Sequence, residues 1–168
     1  MFALMMARNT RLSAADYIQI ARDAATPATP AAHGQNWAGA GTTDFPSEKG
    51  RRISDEAVVG LEGYKAYGCW HCPIACGGKV TQKGGRFPLE LNNGVGHKPE
   101  YETLAMFGSN LLNDNLASIV KANEICNNLG VDTIATAATI AYAIECYENG
   151  LIAKNQTDGL ELTWGNAE

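Results

Sequence analysis

The clearest hydrophobic patterning lies late in the chain. In "DNLASIVKANEICNNLG" (114–130), Leu116, Ile119, Val120, Ala122 or Asn123, Cys126 and Leu129 recur with the helical period. Asp114 stands as N-cap and Gly130 as stop. "DTIATAATIAYAIECYENG" (132–150) follows the same plan, with Asp132 as cap and Gly150 as stop. Its apolar positions are Ile134, Ala137, Ala138, Ala141, Ile144 and Ala143 or Cys146, and alanine covers nearly every side. Such a helix packs closely on several faces. The pair predicts two antiparallel or steeply crossing helices joined at Gly130–Val131.

Earlier elements are shorter. "SAADYIQIARDAA" (13–25) reads as a helix capped by Ser13, with Tyr17, Ile20 and Ala21 on one face. Residues 26–50 are rich in Pro, Gly, Ala and Thr, without period, and read as loop. A loop beyond about 15 residues is rarely an idle connection, and Trp37 and Phe45 suggest that it lies against something. "SDEAVVGLEGYKAY" (54–67) predicts a helix capped by Ser54 and stopped by Gly68. "KVTQ" and "RFPLEL", joined by "KGG", predict a short hairpin. Residues 92–110 are irregular at first and then ambiguous. "LELTWGNAE" (160–168) reads as the beginning of a further helix. The fold class is therefore mainly α: a multi-helical fragment with a cysteine-bearing loop and a short β-hairpin.

Composition narrows the function. The chain has 168 residues, 45% of them hydrophobic and 18% charged, which is globular. A net charge of −5 argues against a nonspecific nucleic-acid binder. No apolar run approaches the roughly 20 residues of a membrane span. "MFALMMARNT" has one basic residue, placed after its apolar run, and no clear cleavage site, so it does not read as a signal peptide. Five cysteines, three of them clustered, point to intracellular metal or redox chemistry rather than a secreted disulfide framework.

The cluster is "GCWHCPIACGG" (68–78), with Cys69, Cys72 and Cys76 spaced C-x2-C-x3-C. A dithiol redox site leaves the third thiol surplus and lacks a convincing following helix. A c-type haem needs His directly after the second cysteine, where Pro73 stands. Structural zinc sites usually pair their ligands as two short units. An iron–sulfur cluster suits a tight run of three with a fourth ligand elsewhere. Iron–sulfur therefore leads, with zinc second and three unligated thiols third. Cys126 and Cys146 are internal candidates for a fourth ligand, although apolar helix faces suit buried structural thiols better.

Several stretches together resemble the aldehyde:ferredoxin oxidoreductase family. They are "CWHCPIACGG", "KPEYETLAMFGSNL", "NEICNNLGVDTIATAATIAYAIECYENGLI" and "LELTWGNAE", in that order and spacing, preceded by "GQNWAGAG…DFP". The resemblance covers roughly residues 34–168. It implies a tungsten or molybdenum bis-pterin enzyme with a 4Fe-4S cluster, oxidising an aldehyde to a carboxylic acid and passing electrons to ferredoxin or a similar acceptor. It implies Cys69, Cys72 and Cys76 as cluster ligands, with the fourth cysteine on a later domain. Asn127, Gly130, Val131 and Asp132 correspond to the family's pterin-binding D-x-x-G-L-D element, with Asn for the first Asp and Val for Leu. Without the family, the same residues read equally well as a helix–turn–helix corner with an ordinary cap. In "PEYET", Glu102, or less well Glu100, corresponds to a metal-adjacent glutamate that handles protons; the alternative is a solvated loop carboxylate. His97 is read as a surface histidine.

The expected organisation is a partial N-terminal helical segment (1–33), an extended loop (34–53) and a cluster-binding helical domain (54–168) truncated at its C-terminus. The expected setting is a cytoplasmic enzyme whose N- and C-terminal domains lie outside this chain. A homo-oligomer is compatible, and the chain alone is expected to be inactive. The competing expectation is a small non-catalytic iron–sulfur or zinc module, closed by dimerisation or by Cys126.

Overall fold

The computed structural model describes residues 45–168. The helix expected at 13–25, most of the 26–50 loop and Trp37 lie outside the described residues. The chain runs α1 (Ser47–Arg52), α2 (Asp55–Val59), β1 (Lys65–Tyr67), β2 (Gly77–Thr81), β3 (Val95–His97), α3 (Tyr101–Phe107), α4 (Leu116–Leu129) and α5 (Thr133–Glu148). Short 3-10 turns occupy Ser109–Leu111 and Lys154–Gln156. The architecture is mainly helical with a small antiparallel sheet, as expected.

The two long helices form where the period placed them. Asp132 caps α5, its Oδ1 accepting from the Ala135 N–H at 2.7 Å. Gly130 ends α4 with a left-handed φ of 67°, a conformation that costs a glycine little. The chain bends by 116° between the two helices. The cap of α4 is one residue later than expected. Asn115 Oδ1 accepts from the Ser118 N–H at 3.1 Å, while Asp114 pairs with Arg52 at 2.6 Å. Among the described residues no single helix is long and apolar enough to cross a membrane.

Four other expectations are corrected. The 54–67 helix is capped by Ser54 but ends at Val59, because Lys65–Tyr67 pair with β2 instead. "RFPLEL" does not form the second strand. The far edge of β2 is taken by β3, in the register Lys79–His97, Val80–Gly96 and Thr81–Val95. The Glu90 and Leu91 N–H groups donate to the Glu124 carboxylate rather than to a ladder. Residues 160–168 are irregular, with one turn at Trp164–Gly165, and not a helix. There Gly165 N–H donates to the Leu111 carbonyl, and Leu162 and Trp164 pack on the core. Within the expected loop, residues 47–52 are helical, and Phe45 is buried.

The main core gathers Phe45, Ile53, Leu104, Phe107, Ile119 and Cys126 with the inner face of α5. Ala137 and Ala141 are fully buried there, and α3 lies against this small-residue face. A second cluster, Val80, Leu89 and Val120, fastens the sheet to α4.

Candidate cofactor-facing site

The three clustered cysteines sit on a hairpin. Tyr67 pairs with Gly77 as the last pair of the β1–β2 ladder, so residues 68–76 are its connecting loop. Within the loop the Cys72 N–H donates to the Cys69 carbonyl at 2.9 Å. His71 and Ala75 take left-handed φ values of 56° and 49°, which L-residues adopt uncommonly. Cys69 and Cys76 are exposed and Cys72 is half-buried, whereas Cys126 and Cys146 are buried in helices. That burial suits the structural reading of the latter two.

Among the described residues no three His, Cys, Asp or Glu side chains are gathered for one metal ion. A single zinc draws its sulfur ligands to about 2.3 Å of one point. A four-iron cube spreads its thiolates over separate corners. Three accessible thiols on one tight loop are soft donors, the ligand chemistry of an iron–sulfur cluster and of zinc alike.

The glycines that follow explain how this hairpin meets its neighbours. A side chain at Gly77 would put its Cβ 2.8 Å from Cζ of the Tyr67 ring. A Cβ at Gly78 would lie 2.9 Å from Cδ of Lys98 and 3.0 Å from the Tyr64 ring. The pair thus leaves room for Tyr67 at one residue and for Lys98 and Tyr64 at the next. The Tyr67 hydroxyl meets His97 Nδ1 on β3 at 2.8 Å.

Beside the hairpin lies an open cleft of about 530 Å³. Its lining includes Tyr67, His97, Glu100, Glu102, Asn127 and Asp132. Both expected sequence elements, "PEYET" and "NNLGVD", therefore meet at one surface, delivered by α3 and by the α4–α5 corner. Gly130 and Val131 form that corner and are not among the lining residues.

The carboxylates differ. Glu100 Oε2 is held by Lys98 Nζ at 3.0 Å. Glu102 is exposed, and among the described residues no side chain pairs with its carboxylate. One Asp132 oxygen is taken by its cap bond. Asn123 also lines the cleft, its Nδ2 donating to the His97 carbonyl at 3.1 Å. Thr103 and Thr133 share a hydroxyl hydrogen bond at 2.9 Å, tying α3 to the start of α5.

The sequence reading missed Tyr67, Lys98 and Asn123 and set His97 aside. One signal was available: two consecutive glycines directly after Cys76, which imply close approach by something else.

The structure thus places the thiol-bearing hairpin next to a cleft of carboxylates and amides. Comparison gives the family. Residues 24–168 match the model described as "Aldehyde ferredoxin oxidoreductase, domains 2 & 3". The tungsten-containing aldehyde ferredoxin oxidoreductase of Pyrococcus furiosus is 42% identical over 116 residues, which is 68% of this chain and 18% of that protein. Its counterpart from Thermococcus kodakarensis is 37% identical over the same shares. An aliphatic sulfonate oxidoreductase, WOR-like subunit, of Pyrococcus furiosus is 28% identical over 61% of this chain and 16% of its own. The chain belongs to the aldehyde ferredoxin oxidoreductase family. Its match spans under a fifth of the length of these relatives.

Proposed function

We propose that this chain forms the cluster-binding and pterin-facing helical part of a tungsten (or molybdenum) aldehyde:ferredoxin oxidoreductase-like enzyme. The observation that carries this reading is the adjacency of the cysteine hairpin and the cleft, joined through Tyr67. When bound, the metal–pterin group and the 4Fe-4S cluster would supply two-electron aldehyde oxidation and one-electron transfer toward ferredoxin or a similar carrier.

The chain's own residues bind and orient. Cys69, Cys72 and Cys76 would hold three irons as thiolates, with a fourth ligand from another part of a longer protein. Asp132 spends one oxygen on its helix cap and keeps the other to accept from a pterin N–H. Asn127 adds an amide on the same cleft, without the charge of the family's aspartate. Glu102 is the proton-handling candidate, because Lys98 already engages Glu100. A general acid–base role gains from a partly dry setting. For the exposed Glu102, that enclosure would come from outside the described residues.

The test is metal content. The complete protein, purified anaerobically, should carry four irons and four sulfides per chain, and Cys72→Ser should lose them. The 168-residue chain alone should not hold a stable four-iron cluster. One zinc per chain, unchanged in the absence of oxygen, would replace this reading with the non-catalytic module.

A further inference from the structure

Tyr67 occupies an unusual place. Its backbone closes the cysteine hairpin, two residues before Cys69 and opposite the residue that follows Cys76. Its ring passes over β2 where Gly77 leaves no Cβ, and its hydroxyl bonds His97 on the far strand. Both residues line the cleft. The rings of Tyr67 and His97 also meet edge to face, with centroids 5.7 Å apart. A polar side-chain bridge therefore starts at the base of the thiol loop and ends on the cleft wall.

We propose that Tyr67 and His97 are a positioning pair that fixes the cysteine hairpin against the cleft and sets the reduction potential of the iron–sulfur group the hairpin holds. The inference rests on the function proposed above and assigns a role to two residues that it left without one.

Two physical consequences follow from the geometry. First, β1 is only three residues long, so little ladder pairing restrains the loop's base. A side-chain latch across β2 fixes what three residues of ladder cannot. Second, the hydroxyl–imidazole bond is an oriented polar contact made by the strand that leads into the thiol loop, and hydrogen bonding and solvent exposure around a cluster are established levers on its potential. The placement of the hairpin against the cleft decides how much solvent reaches the thiols, so the latch that fixes this placement acts on the potential through positioning.

Gly77 and the imidazole are both required by this account. A β-carbon at residue 77 would displace the ring, and a side chain at 97 without an acceptor would release the hydroxyl. Tyr67→Phe removes only the bond and keeps the ring's packing, so it separates electrostatics from folding.

The experiment uses the complete, cluster-loaded enzyme. Midpoint potentials are measured by mediated titration with dithionite, followed by electron paramagnetic resonance. Iron and sulfide are counted in the same samples. Tyr67→Phe and His97→Phe should each shift the ratio of reduced to oxidised cluster at fixed ambient potential by about tenfold, which is about 59 mV for a one-electron couple. The double variant should shift by no more than either single change, because both act through one bond. Iron content should stay at the parent level. If His97→Phe folds poorly, Tyr67→Phe alone decides. Normal iron with unmoved potential in Tyr67→Phe would overturn the inference while leaving the proposed function intact. Absence of iron from the parent enzyme would overturn the proposed function itself. Additive shifts in the double variant would show two independent residues rather than a pair, and would overturn the inference as well.

Discussion

Replacing Glu124 by glutamine should unfold the chain more readily by about 2–4 kcal/mol, and the structure says why. The Glu124 side chain is 6% exposed, on α4. Oε1 accepts the N–H groups of Glu90 and Leu91, both at 3.0 Å, and Oε2 accepts Glu90 N–H at 3.2 Å and Lys121 Nζ at 2.8 Å. A glutamine can present one oxygen to these donors. Its NH2 then faces a further donor, whichever way it turns. Hydrogen bonds to a charged acceptor contribute about 1.5–3 kcal/mol each, and breaking a buried ion pair costs about 3–5. Lys121 keeps Glu90 at 2.9 Å, which softens the loss.

The pH dependence sharpens this prediction. Burial pushes the Glu124 carboxyl up, but Lys121 and the Leu91 and Glu90 N–H groups outweigh it and hold it below the ordinary 4.5. A carboxyl lowered in the folded state stabilises fully above its unfolded pKa and loses that contribution as pH falls through the folded value. Urea unfolding at pH 7 should therefore show a lower midpoint with an unchanged slope. The gap between parent and variant should narrow below pH 4.5. A variant within about 0.5 kcal/mol of the parent, or a gap that stays constant into acid, would refute the clamp.

Asp132→Ala should cost about 1 kcal/mol in chemical unfolding if the residue only caps α5; in the complete enzyme, pterin loss beyond that would mark a cofactor contact. Glu102→Gln in the complete enzyme should slow turnover about 100- to 10,000-fold at normal metal content, whereas Glu100→Gln should do less, and the reverse order would move the proton-handling role to Glu100. Gly108→Ala should destabilise by about 1–3 kcal/mol or more in thermal unfolding, since its Cβ would lie 2.3 Å from the Leu104 carbonyl oxygen and 2.5 Å from Ile53 Cδ1.

What the sequence determined by itself was local. A capping aspartate at 132, a left-handed glycine at 130 and a run of small apolar residues suffice to specify the α4–α5 corner, because caps and period act within a few residues. The C-x2-C-x3-C spacing is equally local, and it carries the expectation of ligand chemistry on which the proposed function rests. The fold class followed from those same signals. Tertiary structure decided what distant groups do with shared donors and space. "RFPLEL" has strand-like residues, yet Glu124, more than 30 residues away, takes the N–H groups that a ladder would need. Asp114 has a cap's chemistry, but Arg52 claims it and Asn115 takes the cap. Tyr67 and His97 are 30 residues apart in sequence and carry no shared motif. Only sheet register, with a glycine between them, brings the two within one hydrogen bond, because a side chain crosses a strand only where that strand leaves room.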